Sequence, residues 1–275
     1  MTRILNTLMR PKPMVEAHSV ESDFDVDLGK HDVKLDDLPV FEETAEAVPQ
    51  HLAAVPAAAL TPGSLLAEEF RMLRAKVRAV GEQRPFHCSG LVSASGGEGK
   101  TTVALGLALA LAQEPDRRVL VIEADIRKPS IDSYLGLSRV AGLGDWLEEA
   151  QGTVTVRRLV PQGFFLLSAG RSSLQRPELL GSDRMARLLE AARRYFDFVV
   201  VDCPPLVPVA DSVIMQDLLD GFLFVVRARH SPRETLQRAL ANIKPDRIHG
   251  VVFNDYRDLL PSYYNYGYRQ YGQWR

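Results

Sequence analysis

The stretch SASGGEGKTT, residues 93–102, joins the apolar run HCSGLVSA to the apolar run VALGLALALA. Three glycines, Gly96, Gly97 and Gly99, stand between a strand pattern and a helix pattern. Glycine permits the close turns by which a loop wraps its amides around an anion, and the helix that follows adds the unpaired N–H groups of its first turn. The expected occupant is the phosphate chain of a nucleotide, cradled by Ser95, Gly96, Gly97, Glu98, Gly99, Lys100, Thr101 and Thr102. Lys100 is placed to bridge the β- and γ-phosphates and Thr101 to set its hydroxyl on Mg²⁺. The pattern departs from G-x-x-x-x-G-K-[ST] only at its first position, where Ala94, also small, replaces glycine.

Outward from that loop the chain alternates. HCSGLVSAS, RRVLVIEAD, GFFLLSAG, FDFVVVD, GFLFVVRAR and HGVVFND are short runs apolar enough to be strands covered on both faces. TTVALGLALALAQ, SDRMARLLEAARRYF, VADSVIMQDLLD and PRETLQRALANI read as helices between them. This alternation predicts an α/β fold with a doubly wound, mostly parallel sheet. A further helix opens after Ser64, with Leu65, Leu66, Phe70, Leu73 and Val77 at helical spacing.

With 275 residues, 46% of them hydrophobic, the chain is long enough for one large domain with a tail at each end. Residues 1–62 read as an acidic, Ala/Pro-rich flexible extension whose few aromatic residues cannot offset its ordering entropy. Residues 63–255 form the phosphate-binding domain and 256–275 a tyrosine-rich tail. A net charge of −2 supplies no broad positive field, so nucleic acid is not an expected partner. Cys88 and Cys203 lack disulfide or metal-ligand spacing, which fits a reducing, cytoplasmic compartment. No run approaches the ~20 apolar residues of a membrane span, and VALGLALALA reads as a buried helix.

Two acidic positions extend the site. Asp202 ends FDFVVVD, at the edge where open α/β sheets hold their ligands, and can hold Mg²⁺ there. In VIEADIRKP, Glu123 and Asp125 lie two apart and share one face of an extended strand, with Arg127 beyond them. A salt-bridged strand end is the alternative for that trio. The candidate catalytic set is Lys100, Glu123, Asp125, Arg127 and Asp202, and the candidate metal set is Thr101, Asp125 and Asp202.

Together SASGGEGKTT, VLVIEADIRKP and FDFVVVDCPP resemble the P-loop, A-prime and Walker B motifs of the bacterial tyrosine kinases, the autokinases of capsule and exopolysaccharide systems. These kinases fall among the MinD- and ParA-like P-loop ATPases. The similarity runs from Ser64 to Tyr271 and includes AEEFRMLRAKV, RPELLGS, ADSVIMQDLLDG and HGVVFND. The partitioning and septum-site ATPases share the sheet but carry a signature lysine in KGGxGKT, where this chain has Ser95. One departure stands out: the A-prime pattern DxDxR begins here with Glu123. The longer side chain shifts the carboxylate by about one methylene, and misplacement near 1 Å can cost about a hundredfold in rate.

The resemblance implies an ATP- and Mg²⁺-dependent protein-tyrosine autokinase that regulates polysaccharide polymerisation and export. Six of the eight tyrosines fall in the last twenty residues; Tyr263, Tyr264, Tyr266, Tyr268 and Tyr271 are the expected phosphorylation sites, with Tyr256 set apart near the last strand. Glu123 or Asp125 is the expected proton acceptor, and the family pattern points to Glu123. Glu68, Arg71 and Arg74 match an ExxRxxR helix associated with ring assembly, which implies a homo-oligomer and attack in trans. Spacing alone equally suits a surface ion pair. The implied partners are a separate membrane polysaccharide copolymerase, which recruits the chain to the inner face of the plasma membrane, and a cognate tyrosine phosphatase. The alternative is an ATP-binding regulatory scaffold with weak or no phosphoryl transfer.

Overall fold

The computed structural model describes residues 5–7, 38–48, 64–149, 153–171, 177–207 and 211–256. Among these described residues, nine strands form one sheet: β1 (Leu5–Thr7), β2 (Phe41–Ala47), β3 (Cys88–Ser93), β4 (Val119–Glu123), β5 (Val154–Val160), β6 (Phe165–Leu167), β7 (Phe198–Asp202), β8 (Gly221–Arg227) and β9 (Ile248–Asn254). Their spatial order is β1-β9-β8-β3-β7-β4-β6-β5-β2. All pairings are parallel except β1 with β9 and β5 with β6. The expected doubly wound, mostly parallel sheet is therefore present.

The helices are α1 (Leu65–Gly81), α2 (Lys100–Ala112), α3 (Ile131–Leu135), α4 (Leu143–Glu149), α5 (Asp183–Tyr195), α6 (Asp211–Ile214) and α7 (Arg233–Ala241). They divide between two apolar layers. Residues of α1, α2 and α3 pack on one face of the sheet, and residues of α4, α5 and α7 on the other. The inner strands β3 and β4 are buried along their whole length because both faces are covered, which is why they read as unbroken apolar runs.

Ser64 caps α1, its hydroxyl accepting the Ala67 amide at 3.1 Å. The stripe Phe70, Leu73 and Val77 then lies on α2, whose residues from Val103 to Leu111 are all buried. Gly106 makes that close approach possible: a Cβ there would lie 1.9 Å from Phe70 Cζ. VALGLALALA is thus the buried helix expected from its sequence, and no described helix is long and apolar enough to cross a membrane.

Three expectations are corrected. The extension over residues 1–62 was expected to be flexible throughout, yet it contributes β1 and all of β2. In β2, FEETAEA carries almost no apolar signal; main-chain pairing with β5 over seven residues holds it, while Phe41 at its start stacks edge-on against Tyr195 and Phe196. Strand β5, VTVRRLV in the sequence, was not anticipated at all, because buried Arg157 interrupts its apolar pattern. Of VADSVIMQDLLD, expected as one helix, the described residues form a four-residue helix at Asp211–Ile214 followed by a 3₁₀ turn at Met215–Asp217.

Candidate active site

Strands β3, β7 and β4 lie side by side and deliver the glycine loop, Asp202 and Glu123 to one edge of the sheet. Glu123 and Asp202 are direct neighbours in register, and the Asp202 carbonyl accepts the Ala124 amide at 2.9 Å. This is the carboxyl edge where open α/β sheets bind ligands.

The loop turns left-handed at Gly97 (φ 81°) and Gly99 (φ 89°). Gly99 precedes α2 without any side-chain cap, so the first-turn amides are left for an anion. Only glycine fits there: a Cβ would lie 2.0 Å from Asn254 Nδ2, which donates to the Glu98 carbonyl at 2.9 Å. Ala94, the departure from the motif, is fully buried, and its carbonyl accepts the Val207 amide at 3.1 Å. Its methyl joins the core below the loop.

Lys100 and Thr101 open α2 beneath the loop. The Thr101 hydroxyl donates to Asp202 Oδ2 at 2.6 Å, whereas Asp202 Oδ1 is buried with no hydrogen-bond partner. Burial pushes the Asp202 carboxyl up to about 7; the Lys100 ammonium and the Thr101 bond oppose that, and Glu123 and Asp125 reinforce it. A hydroxyl and an orphaned carboxylate oxygen side by side are hard-oxygen donors that fit Mg²⁺, an ion that keeps several waters and takes its remaining ligands from phosphates. No group of three His, Cys, Asp or Glu residues able to hold a metal occurs among the described residues. Thr102 faces elsewhere, its hydroxyl bonding the Tyr134 phenol.

Two expected site residues turn away from the phosphate position. The Glu98 side chain is completely buried: Oε1 accepts from Ser95 Oγ at 3.3 Å and from the Ser231 hydroxyl, and Oε2 accepts from the Arg227 amide at 2.6 Å. Glu98 thus offers the cradle its backbone, while its carboxylate and Ser95 clamp the loop to the end of β8. The Glu123 carboxylate is likewise consumed. Oε1 accepts the amides of Ser130 at 2.6 Å and Ile131 at 2.7 Å, and Oε2 accepts that of Ala169 at 3.2 Å. Burial holds its pKa above the ordinary carboxylate range despite these three amides.

The bonds from Glu123 close the loop 123–131, which displays the other two members of the acidic motif. Asp125 is half-buried and its Oδ1 accepts the Lys128 amide at 3.2 Å; Arg127 is exposed. On α1, Glu68 and Arg71 pair with each other at 2.6 Å. Arg74 donates to the Ala110 carbonyl at 2.8 Å and lies 3.6 Å from Glu114, so it also fastens α1 to α2. Tyr263, Tyr264, Tyr266, Tyr268 and Tyr271 lie outside the described residues.

Four residues around the cradle escaped sequence reasoning: Arg227, His230, Ser231 and Asn254. Arg227 Nη1 donates to the Gly97 carbonyl at 3.3 Å and His230 Nε2 lies 2.9 Å from the Gly96 carbonyl. No local signal could have found them, because all four sit more than 125 residues from the loop residues they contact.

Residues 90–260 match the family model described as the CobQ/CobB/MinD/ParA nucleotide binding domain. The chain is 30% identical over 211 residues to the tyrosine-protein kinase YwqD of Bacillus subtilis, covering 75% of this chain and 87% of that protein. It is 33% identical over 261 residues to the succinoglycan biosynthesis transport protein ExoP of Rhizobium meliloti, which covers 91% of this chain but only 31% of that longer protein. Among solved structures, the kinase domain of the Escherichia coli tyrosine kinase ETK superposes with a TM-score of 0.65 at 25% identity, covering 86% of this chain and 91% of that domain. The VpsO kinase domain gives 0.62 at 27%, covering 75% and 97%.

Proposed function

The chain belongs to the CobQ/CobB/MinD/ParA nucleotide-binding family and, within it, to the bacterial tyrosine-protein kinases, and from that premise we propose that it transfers the γ-phosphate of ATP to tyrosines of its own C-terminal tail. The single observation that carries this reading is the Thr101–Asp202 pair at the mouth of the glycine loop, with Asp202 Oδ1 left unpartnered.

The loop amides of residues 95–102 and the Lys100 ammonium hold the β- and γ-phosphates. A tail phenol attacks the γ-phosphorus in line; a bond forms between the phenolic oxygen and phosphorus, and the bond from phosphorus to the β–γ bridging oxygen breaks, releasing ADP. Thr101 and Asp202 would hold Mg²⁺, which would supply positive charge against the phosphate oxygens, leaving Asp125, the third candidate ligand, for the proton. A phenol of ordinary pKa about 10 must lose its proton to a nearby acceptor. Asp125 takes that role in preference to Glu123, because three amides already consume both oxygens of Glu123. Arg127, exposed two residues on, is placed to meet the incoming tail or its phosphates.

Attack in trans within a ring, with Glu68, Arg71 and Arg74 at the subunit contact, remains part of the proposal. Arg74 would then serve both its own α2 and a neighbour. Each added phosphate brings about −1.5 to −2 charges, so accumulated tail phosphorylation would favour disassembly. The regulatory setting is polysaccharide polymerisation and export, through a membrane copolymerase and reversed by a tyrosine phosphatase; its support is that the relative ExoP is named a succinoglycan biosynthesis transport protein.

The consumed Glu123 favours one other reading, an ATP-gated scaffold with little transfer. Purified protein incubated with Mg-ATP beside Lys100→Met, followed by intact mass and peptide mapping, separates the two. Lys100-dependent phosphates on Tyr263 to Tyr271 are the expected result. ATP binding without tail phosphorylation, even with an activating membrane fragment supplied, would leave the scaffold.

A further inference from the structure

Beneath the loop 123–131 lies a buried guanidinium that the phosphate chemistry does not use. Arg157, on β5, has a side chain only 4% exposed. Its Nη1 donates to Glu46 Oε2 at 3.1 Å and to the Ser138 carbonyl at 3.0 Å, and its Nη2 donates to Asp132 Oδ1 and to Ser168 Oγ. Ser168 Oγ in turn donates to Asp132 Oδ1 at 2.6 Å. Among its partners, Asp132 is next to Ile131 and Ser168 is next to Ala169. Ile131 and Ala169 supply two of the three amides that hold Glu123. One buried cation thus fixes both banks between which the Glu123 carboxylate is gripped.

A buried charge keeps its place only when its partners are complete, and losing one leaves an uncompensated charge. Arg157 faces two carboxylates, and the second comes from the N-terminal extension. Glu46 stands on β2, diagonally across the parallel pairing in which Thr44 is the direct neighbour of Arg157. Its side chain is 31% exposed, so it can be altered without opening the core.

We propose that Arg157 is a positioning residue for phosphoryl transfer, and that Glu46 makes strand β2 of the N-terminal extension part of the catalytic unit. Arg157 acts through α3 and the Ser168–Ala169 turn on Glu123, and thereby sets the loop that carries Asp125 and Arg127. The glycines of the cradle, Lys100 and Thr101 are not on this route, which meets the cradle only through the Thr102–Tyr134 bond on α3, so transfer rate should fall much further than ATP affinity. The positioning of transfer rests on the kinase reading above; the bracket itself does not.

The test uses the full chain with Glu46→Ala, Glu46→Gln and Arg157→Lys. Hydrogen exchange is followed in peptides covering 124–135 and 168–170, with 221–227 on β8 as the internal control. In parallel, the initial rate of tail phosphorylation is measured against Mg-ATP concentration. Glu46→Ala should speed exchange in the first two regions alone and lower the maximal rate about tenfold with KM for ATP within about twofold; Arg157→Lys should cost about a hundredfold. Glu46→Gln, which keeps a hydrogen-bond acceptor for Arg157, should recover most of the rate. Unchanged exchange at 124–135 in Glu46→Ala overturns the proposal even if Arg157→Lys does not fold, and so does a lowered melting temperature with rate and KM both intact. A wild-type chain that transfers no phosphate overturns the kinase reading and the positioning of transfer with it, while the exchange data still decide whether the bracket exists.

Discussion

Glu123 Oε1 lies 2.7 Å from the amide of Ile131, so the first carboxylate of the acidic motif closes the loop that presents the second. An aspartate at position 123 would be about one methylene short of that reach. The glutamate is therefore matched to a structural task, and the proton acceptor is Asp125 in the mechanism proposed above.

That assignment separates three variants. Glu123→Gln retains an oxygen for the Ser130 and Ile131 amides and should keep at least about a tenth of the wild-type rate, whereas Glu123→Ala releases the loop and should lose about a hundredfold. Asp125→Asn should fall to background. Initial rates of tail phosphorylation at saturating Mg-ATP decide it: an inactive Glu123→Gln beside an active Asp125→Asn would return proton transfer to Glu123.

Asp202 carries a buried carboxylate with one oxygen unpartnered, a burden on the fold that serves the site. Asp202→Asn keeps an acceptor for the Thr101 hydroxyl and removes the buried charge. The variant should abolish Mg-ATP-dependent phosphorylation yet melt about 2–4 °C higher than wild type without nucleotide. Scanning calorimetry in the presence of a chelator checks the second half, and a lower midpoint would show that the charge stabilises the fold.

His249 provides a pH-dependent element on the opposite edge of the sheet. It is buried on β9 beside Phe86, with Nδ1 unpartnered. Burial holds its pKa below the ordinary 6.5; Asp220 pulls it up, and Arg84 and Arg247 push it further down. The unfolded chain therefore binds the proton at higher pH than the folded chain. This contribution is complete above the ordinary value and is lost as pH falls through the lower, folded one. The melting temperature should decline as pH falls from about 7 to about 5, and His249→Phe should flatten that slope. An equal slope in the variant would assign the acid sensitivity to other groups.

Local patterns carried much of the fold. The apolar runs around Val92, Ile122, Val200 and Phe224 identified inner strands, because a strand covered on both faces must be apolar on both. The glycine spacing marked the loop, since only glycine tolerates the left-handed turn at position 99 against Asn254. The open-edge strand β2 left no such trace: its stability comes from backbone pairing with β5, which any polar side chain allows. Arg157 obscured β5 in the same way, because a buried cation is indistinguishable in sequence from an exposed one.

The sequence by itself determined the glycine loop, Lys100 and Thr101 at the helix start, and carboxylates at the ends of two strands, since each depends on residues within a few positions of one another. Only the tertiary structure decided what those carboxylates do. Sheet order places Asp202 against Thr101, 101 residues away, gives Glu98 to Ser231 at a separation of 133, and gives Glu123 to amides of both Ile131 and Ala169. A side chain's charge is written in its own codon position, but whether it meets a phosphate, a hydroxyl or an amide depends on which distant strand the fold lays beside it.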